Sequence, residues 1–136
     1  MALCWSPGQR TPIHTHNGQL GWMSGERGAL AVLNYKWLRC NAAGNQNVAG
    51  LDCLAGATEL DLERREVQEC FPGGPVNTVD KQQTIHQVVP QGREPAVSLH
   101  LYSRPIDSCV AFDVEQRRCY RRQLSFYSRY GKVVVD

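Results

Sequence analysis

Two histidines, His14 and His16, stand one residue apart in the stretch "TPIHTHNGQLGWM". On an extended segment, alternate side chains face the same way, so both imidazoles can reach one ion. An H-x-H pair also arises by chance in loops, so a metal reading needs a third ligand from another strand. The chain has only four histidines. His86, in "TIHQVV", interrupts an otherwise apolar run and is a candidate, although a lone histidine in such a run is more often a satisfied core residue. Three neutral imidazoles without a carboxylate would leave a divalent ion its full charge and open positions. That donor set suits Lewis-acid or oxygen chemistry with Zn, Fe, Ni or Cu, and composition does not choose among them. The fourth histidine, His100, lies in "AVSLHLYS". With period-two alternation it shares a face with Ser98 and Tyr102, opposite Val97, Leu99 and Leu101. Such a row can orient a phenol through an imidazole, or simply satisfy three polar groups inside a barrel.

The elements that must position these residues are short strands. "GALAVLNYKWL", "QTIHQVV", "AVSLHLYS", "SCVAFD" and "RQLSFYSRY" are β-branched, aromatic or aliphatic runs separated by Gly, Pro, Asn and Asp. "TELDLERREV" carries enough charge for a helix, but Leu60 and Leu62 alternate as in a strand. No convincing amphipathic helix exists, and the pattern predicts an all-β barrel or sandwich. Residues 41–56, "NAAGNQNVAGLDCLAG", read as a long loop. Nothing divides the 136 residues, which are expected to form one domain.

Lys and Arg number 15 against 13 Asp and Glu, so the chain is nearly neutral. The Arg-rich "EQRRCYRRQ" reads as a solvated hairpin rather than a phosphate-binding patch, and no nucleic-acid partner is expected. No apolar run approaches the roughly 18 residues of a membrane span, and "MALCWSPGQR" is not a signal peptide. A cytoplasmic location without membrane partners is the expectation. The six cysteines, Cys4, Cys40, Cys53, Cys70, Cys109 and Cys119, contain no C-x-x-C pair and are read as reduced, buried or incidental thiols.

"LCWSPGQRTPIHTH", then "IHQV" and "EPAVSLHLYSRPIDSC", resemble the cysteine dioxygenase family, non-haem iron thiol dioxygenases on a cupin β-barrel. The likeness runs from Leu3 to about Gly131. It implies a cupin fold (a double-stranded β-helix, jelly-roll-like) with few or no helices in residues 1–136. It implies that His14, His16 and His86 bind Fe(II), and that Ser98, His100 and Tyr102 form the catalytic row beside it. General cupins add a glutamate soon after H-x-H. Here residues 17–21 read Asn, Gly, Gln, Leu, Gly, which fits the thiol dioxygenases. Mammalian members have a cysteine, cross-linked to the tyrosine, where this chain has Gly21, so no thioether can form, as in bacterial members. Trp5 and Cys109 also match family positions.

Two departures follow. The interval from His16 to His86 is longer than in mammalian members. The family's opening helices and first strand, with the arginine or glutamine that engages substrate, are expected to be absent ahead of Met1. Arg104, in "YSRPID", is then the candidate carboxylate anchor, because a guanidinium fork suits a carboxylate, and Arg10 is a second choice.

The resemblance implies addition of both atoms of O2 to the sulfur of L-cysteine, giving cysteine sulfinate. The partners are a small thiol and O2, and the chain is a monomer or homodimer. The alternatives are another small thiol acid such as 3-mercaptopropionate, or a truncated metal-binding cupin without turnover.

Overall fold

A computed structural model of the chain describes residues 1–40, 60–81 and 84–134. The loop expected over residues 41–56 lies outside them. The described residues form β1 (Ala2–Trp5), β2 (Ile13–His14), β3 (Gly21–Arg27), β4 (Ala29–Cys40), β5 (Leu60–Cys70), β6 (Asn77–Val79), β7 (Ile85–Gln91), β8 (Ala96–Tyr102), β9 (Ser108–Asp113) and β10 (Arg118–Gln123). A last small hairpin pairs β11 (Ser128–Arg129) with β12 (Lys132–Val133). Among the described residues there is no helix, and so none long and apolar enough to cross a membrane.

The strands make two principal antiparallel sheets, in the orders β1-β8-β3-β6 and β10-β9-β2-β7-β4-β5. Trp5, Met23 and Ala96 of the first sheet pack with Leu30, Val32, Cys70 and Val88 of the second. Burial of side chains such as Leu30 and Val88, each about 1% exposed, stabilises the fold by roughly 1.5–3 kcal/mol apiece. The six-stranded sheet also buries its other face, where Ile13, Ile85, Val110 and Phe112 pack with Leu60 and the half-buried Tyr35, Trp37 and Leu62. Register shifts at Leu33/Tyr35 and Trp37/Arg39 mark bulges that bend the β4–β5 pair.

Several local signals explain the path of the chain. Asn17 and Gly18 both adopt positive φ, 53° and 71°, and Gln19 N donates to His16 O at 3.0 Å. This is a type I′ turn, for which Asn-Gly is the preferred dipeptide, and it reverses the chain immediately after His16. Gly25 permits a close approach: a Cβ there would lie 2.7 Å from the Phe71 backbone.

The arginine-rich run is the β9–β10 hairpin, as the sequence predicts. The thiol expectation needs a correction. Cys4, Cys70 and Cys109 are free, but Cys119 is disulfide-bonded. Linear spacing does not reveal which cysteines a sheet brings within bonding distance.

Candidate metal centre and the polar row beside it

β2 is only two residues long, yet it lies between β7 and β9 in the middle of the larger sheet. Threonines on either side extend its pairing. Thr11 N donates to Val88 O at 3.1 Å, and Val88 N donates to Thr11 Oγ1 at 2.9 Å. Thr15 N donates to Val110 O at 3.0 Å, and Val110 N donates to Thr15 Oγ1 at 3.3 Å. The segment from Thr11 to Thr15 is therefore anchored to both neighbours, and the histidines on it are held by the sheet.

Within that frame His14 stands directly opposite His86 on β7 and opposite Ala111 on β9. Alternation turns Ile13, Ile85 and Phe112 to one face and His14, His86 and Ala111 to the other. His16, just past β2, joins them. The three ring centroids lie 4.5–4.9 Å apart, and one nitrogen from each ring falls within 4.8 Å of the others. The Nε2 atoms of His16 and His86 are 3.1 Å apart. Two nitrogens each about 2.1 Å from one ion, at right angles, would be about 3.0 Å apart, so this spacing fits metal ligation.

The electronic state fits as well. Burial is the main cause that lowers the pKa of His14 and takes those of His16 and His86 well below 6.5, and their mutual repulsion adds to it at His16 and His86. All three are neutral at pH 7, with lone pairs available. His14 Nδ1 donates to Pro12 O at 2.9 Å, which fixes the tautomer and leaves Nε2 as the ligand atom. His16 Nδ1 lies near the Thr84 backbone without a well-formed hydrogen bond.

β8 crosses beside this centre in the smaller sheet. Its alternation is inverted relative to an ordinary half-buried strand. Ser98 is fully buried, whereas Leu99 and Leu101 are 46% and 66% exposed. The polar row Ser98, His100, Tyr102 thus faces inward, opposite Leu3, Met23 and Gly21 on the flanking strands. Trp5 Nε1 donates to Ser98 Oγ at 2.9 Å. Ser98 Oγ lies 2.8 Å from His100 Nε2, and His100 Nδ1 lies 3.3 Å from Tyr102 Oη.

One tautomer satisfies the row with the phenol proton left free: the serine oxygen accepts from the indole and donates to His100 Nε2, and an Nδ1–H of the imidazole donates to Tyr102 Oη. In the other tautomer Nε2–H donates to Ser98 Oγ and Nδ1 accepts the phenol proton in a hydrogen bond. Burial keeps both rings neutral: it lowers His100 to about 4 and raises Tyr102 to about 12. His16 and Tyr102 are stacked at 6.2 Å between centroids, so the phenol adjoins the three-histidine cluster. The nearest Tyr102 ring atoms are 2.9 Å from where a Gly21 Cβ would sit, so only glycine gives that ring its room.

A cavity of about 410 Å³ opens beside His14, lined by Trp5, Arg10, Cys109 and Arg122 among others. Arg104 is not among the lining residues. It is exposed, in residues 103–107 after β8. Arg122 went unnoticed in the sequence because it sits in a run that reads as a solvated hairpin. Only the register, which sets it opposite Cys109, puts it beside the histidines. A larger groove of about 660 Å³ between β5 and residues 75–78 has Glu69 as its single charged lining residue and lies away from the histidines.

Two antiparallel sheets enclosing a histidine-bearing face make this a cupin fold. The fold is shared by a cupin-superfamily sugar phosphate isomerase from Silicibacter pomeroyi, with a TM-score of 0.50 and 15% identity, over 98% of this chain and 69% of that one. That likeness concerns the fold alone. The chain belongs to the cysteine dioxygenase type I family, whose model matches residues 1–115. It is 28% identical over 131 residues to human cysteine dioxygenase type 1, 27% to the Mus musculus protein and 26% over 132 residues to that of Danio rerio. These matches cover 96–97% of this chain but 57–58% of each relative, so the chain spans little more than half their length.

Proposed function

We propose that the chain is a mononuclear non-haem Fe(II) thiol dioxygenase that adds both atoms of O2 to the sulfur of L-cysteine, giving cysteine sulfinate. The observation that carries this reading is three imidazole nitrogens within 4.8 Å of one another, with a protonated phenol from the facing sheet stacked beside them. Family membership supports the same class of chemistry. His14, His16 and His86 would hold the iron, which would bind a thiolate, lower its pKa and supply the redox chemistry with O2.

The chain's own groups do the rest. Tyr102 donates a hydrogen bond toward the reacting atoms, and its raised pKa keeps that proton in place through neutral pH. His100 and Ser98 are positioning residues: they set the direction of the phenol and hold it before reaction. Trp5 secures Ser98 in turn. Low exposure of His16 and His86, 5% and 6%, keeps bulk water from this side of the centre. 3-Mercaptopropionate is the alternative substrate, and a metal-binding cupin without turnover is the alternative role.

The test is oxygen uptake by the purified chain after anaerobic loading with Fe(II), on adding L-cysteine or 3-mercaptopropionate. Uptake matched by sulfinate, and lost in His86→Ala, is the expected result. Iron binding without uptake from either thiol would refute the dioxygenase reading.

A further inference from the structure

The last hairpin contributes nothing to the three-histidine cluster, yet it gathers charge of one sign. Residues 116–135 contain no Asp or Glu, and residues 117–132 hold six of the chain's fifteen Lys and Arg. The near-neutral total therefore conceals an uneven distribution, basic at this end. Arg117 pairs with Asp61 and Arg118 with Asp113, but no ion pair among the described residues engages Arg129 or Lys132.

Register fixes which side chains share a face. Arg129 stands directly opposite Lys132, and Ser128 opposite Val133. Val134 N donates to Tyr127 O at 2.9 Å, which extends the ladder by one pair. Opposed residues share a face and successive pairs alternate, so Tyr127, Arg129, Lys132 and Val134 lie together. Tyr130 and Gly131 make the turn, both at positive φ, 51° and 76°, and put the Tyr130 ring at the tip, fully exposed. Tyr127 is 82% and Val133 56% exposed, and the Arg129 guanidinium sits 5.0 Å from the centroid of the Phe126 ring. Two features are unfavourable in water. Like charges directly opposed across a strand pair repel, and a two-stranded ribbon with residues 127–134 all exposed has no apolar face buried to hold it. An anionic surface with an apolar interior relieves both.

We infer that this hairpin is a peripheral docking surface for an anionic phospholipid bilayer. Lipid phosphates complement Arg129 and Lys132, while Tyr127, Tyr130 and the two valines enter the headgroup boundary, where amphipathic rings are favoured. Single-stranded nucleic acid would also satisfy the cations and could stack on the tyrosines, but it offers no apolar phase to Val133 and Val134. The expectation of no membrane partner rests on the lack of a spanning run, and surface docking needs none. Such a surface is independent of the dioxygenase reading.

The full chain would be sedimented with vesicles of phosphatidylcholine, alone and mixed with phosphatidylserine. Binding is expected only to the mixed vesicles, and it should weaken as salt is added. Arg129→Gln combined with Lys132→Gln should lower the affinity roughly thirtyfold, the effect of two cations near the surface. Tyr127→Ser combined with Tyr130→Ser should lower it at every salt concentration. Arg93→Gln combined with Arg104→Gln removes the same charge from exposed positions elsewhere and should bind as the parent does. All six side chains are exposed, so melting temperatures are expected to match the parent. Equal sedimentation with the two vesicles, sedimentation with neither, or affinity undiminished in either hairpin variant overturns the inference. An equal loss in the Arg93 and Arg104 variant does so too, because net charge alone would then explain it. Tighter binding of a single-stranded oligonucleotide through the same residues would instead make the hairpin a nucleic-acid surface and overturn it as well.

Discussion

Replacing Ser98 with alanine should unfold more of the protein's stability than its single oxygen implies. Ser98 is fully buried and its Oγ serves two partners, the Trp5 indole N–H at 2.9 Å and His100 Nε2 at 2.8 Å. Removing it leaves the buried Trp5 indole N–H and the half-buried His100 Nε2 without that partner. At about 1–3 kcal/mol for each stranded group, the loss is about 2–6 kcal/mol. For a chain of this size that corresponds to a fall in melting temperature of roughly 6–24 °C. Thermal and urea unfolding of the metal-free protein measure it. The double-mutant cycle with Trp5→Phe isolates the cause: with the indole donor gone, Ser98→Ala should cost about 1 kcal/mol less than in the parent. A melting temperature within about 2 °C of the parent, or strictly additive single mutants, would refute the account of Ser98 as a shared partner. Reaction rate gives a second reading. Without the serine oxygen beside Nε2, the His100 ring loses the contact that holds it, and the rate should fall while iron content stays unchanged.

Other outcomes follow from the same geometry. Gly21→Ala places a Cβ 2.9 Å from the Tyr102 ring; overpacking of this kind costs about 1–3 kcal/mol, and the displaced phenol should lower oxygen uptake with metal stoichiometry intact, as elemental analysis and uptake together would show. His86→Ala should reduce iron bound per chain well below that of the parent at equal free iron, again by elemental analysis, because two imidazoles remain where three converged. The pH dependence has a defined sign. His14, His16, His86 and His100 all have folded-state pKa values lowered from 6.5, so below that pH the unfolded chain takes protons that the folded chain refuses. Stability present above pH 6.5 should then be lost on acidification, each histidine contributing about 1.4 kcal/mol per pH unit until its own folded pKa is reached, about 4 for His100. Urea midpoints of the metal-free chain that stay level from pH 7.5 to pH 5 would contradict this.

Much of the candidate site was legible in the residues themselves. Period-two alternation is a local property of extended backbone, so His14 with His16, and Ser98 with His100 and Tyr102, could be assigned to shared faces without knowing their neighbours. Short β-branched runs with Gly, Pro, Asn and Asp between them likewise announced an all-β chain, and the family resemblance named the cupin. Three matters depended on tertiary structure. Alternation does not say which face is inside, and in β8 the exposed leucines and buried serine reverse the usual order. Register is set by pairing over long separations, and it alone brings His86 opposite His14 and Arg122 opposite Cys109, leaving Arg104 outside the cavity. The bond at Cys119 was hidden for the same reason. Side-chain direction is decided by the few residues on either side, whereas proximity is decided by which strands pair, and that is a property of the whole sheet.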